Sequence, residues 1–153
     1  MTRSLERRDL LAATAVAGAA AALAVALYAA VNQWQAGENP ADTYIFFASV
    51  VGGAATAASP FAVPAGIVVL LAASVGWAYG YLEAARQQHQ LLTRPLISGL
   101  GLGVVVWVVN QLALVASNRF SPSLWALDRD LIGSILFFAI PLTLVASRLL
   151  RGR

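Results

Sequence analysis

Long apolar stretches without charged side chains dominate the pattern of hydrophobic and polar positions along this chain. An α-helix rises about 1.5 Å per residue, so about 20 apolar residues cross the ~30 Å hydrocarbon core of a bilayer. The pattern therefore predicts an all-α integral membrane protein, a single domain over residues 1–153 with four transmembrane helices. The predicted spans are Leu10–Val31, Pro64–Leu82, Leu96–Ser117 and Leu131–Ser147.

The segment between the first and second spans departs from this pattern. Residues 44–82 are largely apolar, but the glycine pair Gly52-Gly53, Pro60 and Pro64 interrupt them. We interpret Ala41–Val51 as a short helix that lies at the outer interface or re-enters the membrane, and Gly52–Val63 as a turn. Span two then begins at Pro64, because proline suits the first turn of a helix. A fifth span in this segment is the alternative.

The distribution of arginine predicts the orientation of the chain. All ten basic residues are arginine, and with four spans eight of them fall on one side of the membrane. The positive-inside rule makes that side cytoplasmic, so both termini are predicted to be cytoplasmic in a bacterial inner membrane. A fifth span would divide the arginines five and five, which the rule disfavours. The eight are Arg3, Arg7, Arg8, Arg86, Arg94, Arg148, Arg151 and Arg153; the other two are Arg119 and Arg129.

The first apolar run also has some features of an export signal. Arg7 and Arg8 precede it, as in a twin-arginine signal. The apolar run over residues 10–31 is nevertheless longer than the usual signal core of about 7–15 residues. We therefore expect a retained first span.

Composition supports lipid as the main partner of this chain. Hydrophobic residues make up 59% and charged residues 11%, whereas soluble domains carry about 25% charged residues. The absence of cysteine excludes disulfides and thiolate chemistry. The net charge of +3 comes from arginines that flank apolar spans, which indicates membrane orientation and no nucleic-acid partner.

Two small-residue motifs are the strongest packing signal in the spans. Gly76 and Gly80 form a G-x-x-x-G motif in span two, and Gly99 and Gly103 form another in span three. Such glycines let helix backbones approach closely in a membrane. Because spans two and three run antiparallel, we expect the two motifs to pack against each other within the chain, with homodimerisation as the alternative.

Four further residues in spans three and four are candidates for an intramembrane polar site. Asn110 and Gln111 are adjacent polar residues, and an amide without a partner in hydrocarbon costs a few kcal/mol. Asn110 is therefore expected to face another helix, either as structural glue or as a ligand contact. Pro141 removes a backbone hydrogen bond and is expected to bend span four, with Thr143 or Asn110 as a donor to the freed carbonyl.

The sequence offers no constellation for catalysis or metal binding. His89 is the only histidine and lies in a polar loop, where a solvated side chain is expected. No carboxylate lies inside a predicted span, and Glu83, at a span edge, is placed to pair with Arg86 or Arg7. We therefore predict no enzyme, no cofactor and no metal.

Several short segments resemble a group of small, uncharacterised bacterial inner-membrane proteins with four spans. The resemblance extends from Asn39 to Arg148 and implies the same topology, but it implies no function. Members of the group often carry histidines in spans two and four, and Leu70–Ser74 and Leu136–Ile140 contain none here. The similar segments are Asn39–Ala41, Phe47–Gly52, Thr93–Gly99, Val108–Asn110 and Ile140–Arg148.

Two functional hypotheses follow. The first is a non-catalytic structural or accessory membrane protein that binds itself or a larger complex through helix–helix contacts. The alternative is a small transporter or channel component for a neutral or lipidic molecule, with a cavity near Asn110 and Pro141 that opens to the outer leaflet.

Overall fold

The computed structural model describes residues 7–116 and 129–151, and all regular secondary structure in these ranges is helical. Four of the helices, α1, α3, α5 and α6, are long and apolar enough to span a bilayer, which confirms the predicted four-span fold. In α6, residues 129–151, Gly133–Ala139 is a π-helix and Ile140–Arg151 is an α-helix. The other helices are α1 Arg7–Gln35, α2 Asp42–Ala57, α3 Ala62–Gln87, α4 Gln90–Thr93 and α5 Pro95–Ala116.

The four spanning helices extend beyond the apolar cores that predicted them. Helix α3, for example, begins two residues before Pro64 and ends five residues after Leu82. Polar and charged residues continue these helices past the apolar core, where hydropathy gives no signal. The predicted end of span three, Ser117, lies outside the described residues.

Helix α1 ends in a glycine cap. Gly37 adopts φ +75°, a left-handed conformation that L side chains rarely take. Its N–H donates to the Trp34 carbonyl at 3.1 Å, and the Glu38 N–H donates to the Gln33 carbonyl at 2.9 Å. This pair of hydrogen bonds is a Schellman motif, which satisfies two carbonyls at the helix end and turns the chain toward α2.

The short helix between spans one and two is longer than predicted. Helix α2 ends at Ala57, six residues beyond the predicted end at Val51, but it breaks at Gly53, inside the predicted turn at Gly52–Val63. Gly53 adopts φ +72° and ψ −170°, a conformation essentially restricted to glycine, and this bends α2. The 16 residues of α2 rise about 24 Å, less than a full hydrocarbon core, and α2 is not among the four candidate spans.

Helix α2 packs closely against the beginning of α3. A β-carbon at Gly66 would overlap the Tyr44 carbonyl oxygen, so only glycine permits this approach of the two backbones. Ala48 and Ser49 of α2 are buried.

Helix α1 is central, because it packs against both α3 and α6. A β-carbon at Gly18 would lie 2.7 Å from the Val75 Cα of α3. At the other end of α1, the Tyr28 ring stacks on Phe137 of α6 with 4.3 Å between ring centroids. Small residues at helical spacing form the buried face of α1, although they form no G-x-x-x-G motif. They are Ala13, Thr14, Ala17, Gly18, Ala21 and Ala22.

Helix α5 lies at the edge of the bundle and packs mainly against α6. Its most apolar 18-residue window is only 17% buried, against 39% for that of α1. Consecutive spanning helices run antiparallel, so four described arginines share one end of the bundle, which we call the Arg-rich end. They are Arg8, Arg86, Arg94 and Arg148.

Candidate functional site

The four candidate glycines do not form one packing site. Gly99 and Gly103 are buried against α6, where a β-carbon at Gly103 would lie 2.7 Å from the Ile135 Cα. A β-carbon at Gly99 would lie 3.2 Å from the Ile140 Cα. Gly76 and Gly80 are exposed, and a β-carbon there would meet no heavy atom within 4 Å. The predicted packing of spans two and three against each other is therefore wrong, because α5 pairs with α6 instead.

The exposed glycines belong to a longer row of small residues on α3. Ala72, Gly76, Gly80 and Ala84 follow one another at intervals of four residues, and all four are exposed. This spacing places them on one face of the helix. We call these four residues the α3 stripe. Leu70, Ser74, Ala78 and Leu82 form the buried face of the same helix.

Asn110 and Gln111 lie at the end of the bundle away from the arginines. Asn110 is exposed, and its amide forms no side-chain hydrogen bond to another helix within residues 7–116 and 129–151, so the expected contact is not seen there. The Gln111 side chain hydrogen-bonds the Asp130 carboxylate at the beginning of α6, and Arg129 lies close enough to act on that charge. The Tyr28 hydroxyl donates to the Arg129 carbonyl at 3.2 Å, which ties α1 to the same place.

Trp107 lies one helical turn before this polar group. The spacing of three and four residues places Trp107, Asn110 and Gln111 near one face of α5. The indole Nε1 of Trp107 is buried without a hydrogen-bond partner.

Thr143 joins α5 to α6. It is fully buried, and its hydroxyl donates to the Pro95 carbonyl at 2.8 Å and to the Ile140 carbonyl at 3.1 Å. The same Oγ1 would lie 2.9 Å from a β-carbon at Gly99. Thr143 is therefore glue between the beginning of α5 and the second half of α6, and it does not serve the carbonyl that Pro141 leaves free.

Pro141 lies two residues after the end of the π-helical segment at Ala139. The Ile140 N–H donates to the Ile135 carbonyl, five residues earlier. A proline ring clashes with the carbonyl four residues before it, and a widened π turn accommodates that ring. Since Asn110 is exposed on α5 and Thr143 binds elsewhere, neither predicted donor acts on this turn.

An apolar groove of about 570 Å³ lies between α3 and α5 at the Arg-rich end. It exists because these two helices are not packed against each other. Neither Asn110 nor Pro141 lines the groove, so this groove is not the cavity that was predicted near those two residues. Its lining residues are Trp77, Gly80, Tyr81, Ala84, Leu91, Ile97, Ser98, Gly101 and Leu102.

Both hydroxyl groups in the groove lining form hydrogen bonds within the chain. The Tyr81 hydroxyl and the Ser98 hydroxyl each donate to the Leu91 carbonyl at 2.8 Å. These two hydrogen bonds fix the α4 connection against α3 and α5. The rest of the lining is aliphatic, aromatic or glycine, so the groove presents an apolar surface.

Charged side chains flank the groove. Arg94 lies between the lining residues Leu91 and Ile97, is exposed, and forms no ion pair with another described residue. Arg86 forms the predicted ion pair with Glu83, with Nη1 2.9 Å from Oε2. Arg94 therefore has no ion-pair partner among the described residues and lies three residues in sequence from the lining residues Leu91 and Ile97.

Residues 7–116 and 129–151 contain no group of three or more histidine, cysteine, aspartate or glutamate side chains close enough to hold a metal ion. His89 is exposed just before α4. The hydroxyls of Thr14 and Ser74 are buried and unpartnered on the faces of α1 and α3 that pack into the bundle.

No protein-family model matches the chain, and no curated protein or solved structure is significantly similar to it. The resemblance to small four-span bacterial proteins therefore stays a prediction.

Proposed function

We propose that this chain is a non-catalytic structural or accessory protein of a bacterial inner membrane. It acts by binding a second copy of itself, or a larger membrane complex, through helix–helix contacts. The observation that carries the proposal is the α3 stripe, whose four small residues are exposed on one face of a spanning helix.

Small residues matter here because apolar burial gives little net drive for association in lipid. Helices associate in membranes where small side chains let their backbones approach and make many van der Waals contacts. Within this chain, Gly18, Gly99 and Gly103 each serve a close approach between helices. Gly76 and Gly80 have the same spacing as Gly99 and Gly103 but no neighbour, so a helix from another chain fits beside them.

Asn110 supports the same proposal from a different surface. Asn110 is exposed on α5, and its amide forms no hydrogen bond with another described side chain or helix. A hydrogen bond to a partner helix would compensate the cost of holding the amide near hydrocarbon. Asn110 does not support the transport alternative, because the groove lies at the other end of α5 and Asn110 does not line it.

The proposed orientation places the Arg-rich end and both termini in the cytoplasm. Because the chain has no cysteine, single cysteines at Gln88 and Glu38 can report it. In intact cells, a membrane-impermeant maleimide should label the cysteine at Glu38 and leave that at Gln88 unlabelled. The reverse pattern would refute the orientation.

Native mass spectrometry of the protein, released from its own membrane with lipids retained, tests the association. We expect a defined oligomer or a complex with another protein. Ala72→Leu should reduce that species at least several-fold, because a larger side chain on the α3 stripe keeps a partner backbone away. Ala73→Leu is the matched control, since Ala73 is the next residue, is equally exposed and lies off the stripe.

A solitary monomer in native lipid, or equal loss of the complex in both variants, would contradict the proposal. Neither substitution disturbs the fold by contact, because both side chains are exposed.

A further inference from the structure

We propose that the groove between α3 and α5 binds an acyl chain of an anionic phospholipid, with the lipid phosphate held by Arg94. This inference goes beyond the proposed association and does not rest on it. Gly80 and Ala84 belong both to the α3 stripe and to the groove lining, so the acyl chain covers that end of the stripe and a partner helix contacts Ala72 and Gly76. It assigns a ligand class to the part of the molecule where two spanning helices leave a gap.

The lining of the groove suits a hydrocarbon chain. Trp77, Ile97 and Leu102 provide apolar walls, and Gly80 and Gly101 leave the space between them open, with no heavy atom within 4 Å of a β-carbon at either position. The two hydroxyls in the lining are occupied by the Leu91 carbonyl. A polar ligand would therefore find few free donors inside the groove, whereas an acyl chain needs none.

Apolar contacts alone cannot select one lipid, because the surrounding lipid tails are equally apolar. Selectivity must come from the headgroup, and Arg94 supplies the charge. The Ser98 hydroxyl donates to the Arg94 carbonyl at 3.0 Å, which ties the Arg94 backbone to the groove wall. Its guanidinium forms no ion pair with a described residue, and guanidinium groups bind phosphate oxygens in a bidentate manner.

The placement also matches a general mode of lipid recognition. Basic pockets between transmembrane helices at the cytoplasmic side bind anionic headgroups. The groove lies at the Arg-rich end, beside Arg94, with the neutralised Glu83–Arg86 pair on the neighbouring helix. Arg94, which forms no ion pair with a described residue, therefore lies at an end of the spanning helices, where lipid phosphates are expected.

A second copy of this chain is a poorer occupant of the groove. Two parallel copies related by a twofold axis through the groove would bring their Arg94 side chains to the same end and close together. That juxtaposition of like charges disfavours the arrangement. A lipid phosphate has the opposite sign and neutralises Arg94.

Titration of the delipidated full-length protein with single phospholipids, read by native mass spectrometry, tests the site. The probes are phosphatidylglycerol and phosphatidylcholine with identical acyl chains. We expect phosphatidylglycerol to bind more tightly than phosphatidylcholine. Arg94→Gln should weaken phosphatidylglycerol about five-fold and leave phosphatidylcholine unchanged, because one arginine near the surface contributes that much to anionic lipid binding.

The matched control for the charge is Arg8→Gln, an exposed arginine at the same end that belongs to α1, which contributes no residue to the groove lining. It should change neither affinity. Gly101→Phe should lower the affinity for both lipids by filling the groove, and it is tolerated because a β-carbon at Gly101 meets open space. Ala113→Phe is its control, on an exposed position of α5 outside the groove.

Equal affinities for the two lipids, or an equal effect of Arg8→Gln and Arg94→Gln, would overturn the proposal. So would a dimer that Gly101→Phe abolishes while lipid binding stays as it was. If Gly101→Phe fails to fold, Arg94→Gln still decides the matter, because Arg94 is exposed and takes no part in the core.

Discussion

The two G-x-x-x-G motifs have the same spacing and opposite surroundings. Gly99 and Gly103 of α5 lie against the backbone of α6, so the chain itself uses the space that they leave. Gly76 and Gly80 of α3 face outward, and the chain leaves their space empty. The motif therefore indicates where a close approach is possible, and only the fold shows whether the partner belongs to the same chain.

The difference should be largest in folding stability. Gly103→Leu drives a side chain into the Ile135 backbone, and overpacking of this kind costs about 1–3 kcal/mol or more of unfolding free energy. Gly76→Leu should leave the stability of the monomer nearly unchanged, since no atom of the chain is near. Reversible unfolding in detergent micelles, followed by circular dichroism, measures both. Similar losses of unfolding free energy in Gly103→Leu and Gly76→Leu would contradict the assignment of one motif to packing within the chain and the other to an exposed surface.

A smaller effect separates two buried threonines. Thr143→Val removes the hydrogen bond to the Pro95 carbonyl and should cost about 1 kcal/mol, a typical value for hydrogen bonds between membrane helices. Thr14→Val should be neutral or slightly stabilising, because the Thr14 hydroxyl is buried without a partner. The same unfolding assay compares these isosteric changes. A larger loss for Thr14→Val would mean that its hydroxyl has a partner in the membrane.

Hydropathy was sufficient to predict the fold class, since each spanning helix contains an uninterrupted apolar core. It could not predict which helices pack together. Spans two and three are neighbours in sequence, yet α5 packs against α6, because Gly99 and Gly103 fit the backbone at Ile135 and Ile140. The interruption at Gly53 was predicted from the paired glycines, but the helical residues that follow it, up to Ala57, have no signal in the hydropathy pattern.

The candidate site was predicted in pieces. Thr143 and the two glycines of α5 do meet, at a contact that the sequence had assigned to other partners. Two of the four residues of the α3 stripe were predicted, because Gly76 and Gly80 form a G-x-x-x-G motif. Ala72 and Ala84 give no such signal in an alanine-rich chain. The groove had no sequence signal, since it arises from a missing contact between two helices.

Photo-crosslinking along α3 in the native membrane tests the proposed association most directly. A diazirine amino acid can be placed singly at Ala72, at Val68 one turn earlier on the same row, and at Leu71 and Ala73 off that row, all four of which are exposed. We expect protein adducts, either of twice the monomer mass or with a distinct partner, from the positions at Val68 and Ala72 only. Equal yields at all four positions, or lipid adducts alone at every one, would contradict a protein partner on the α3 stripe.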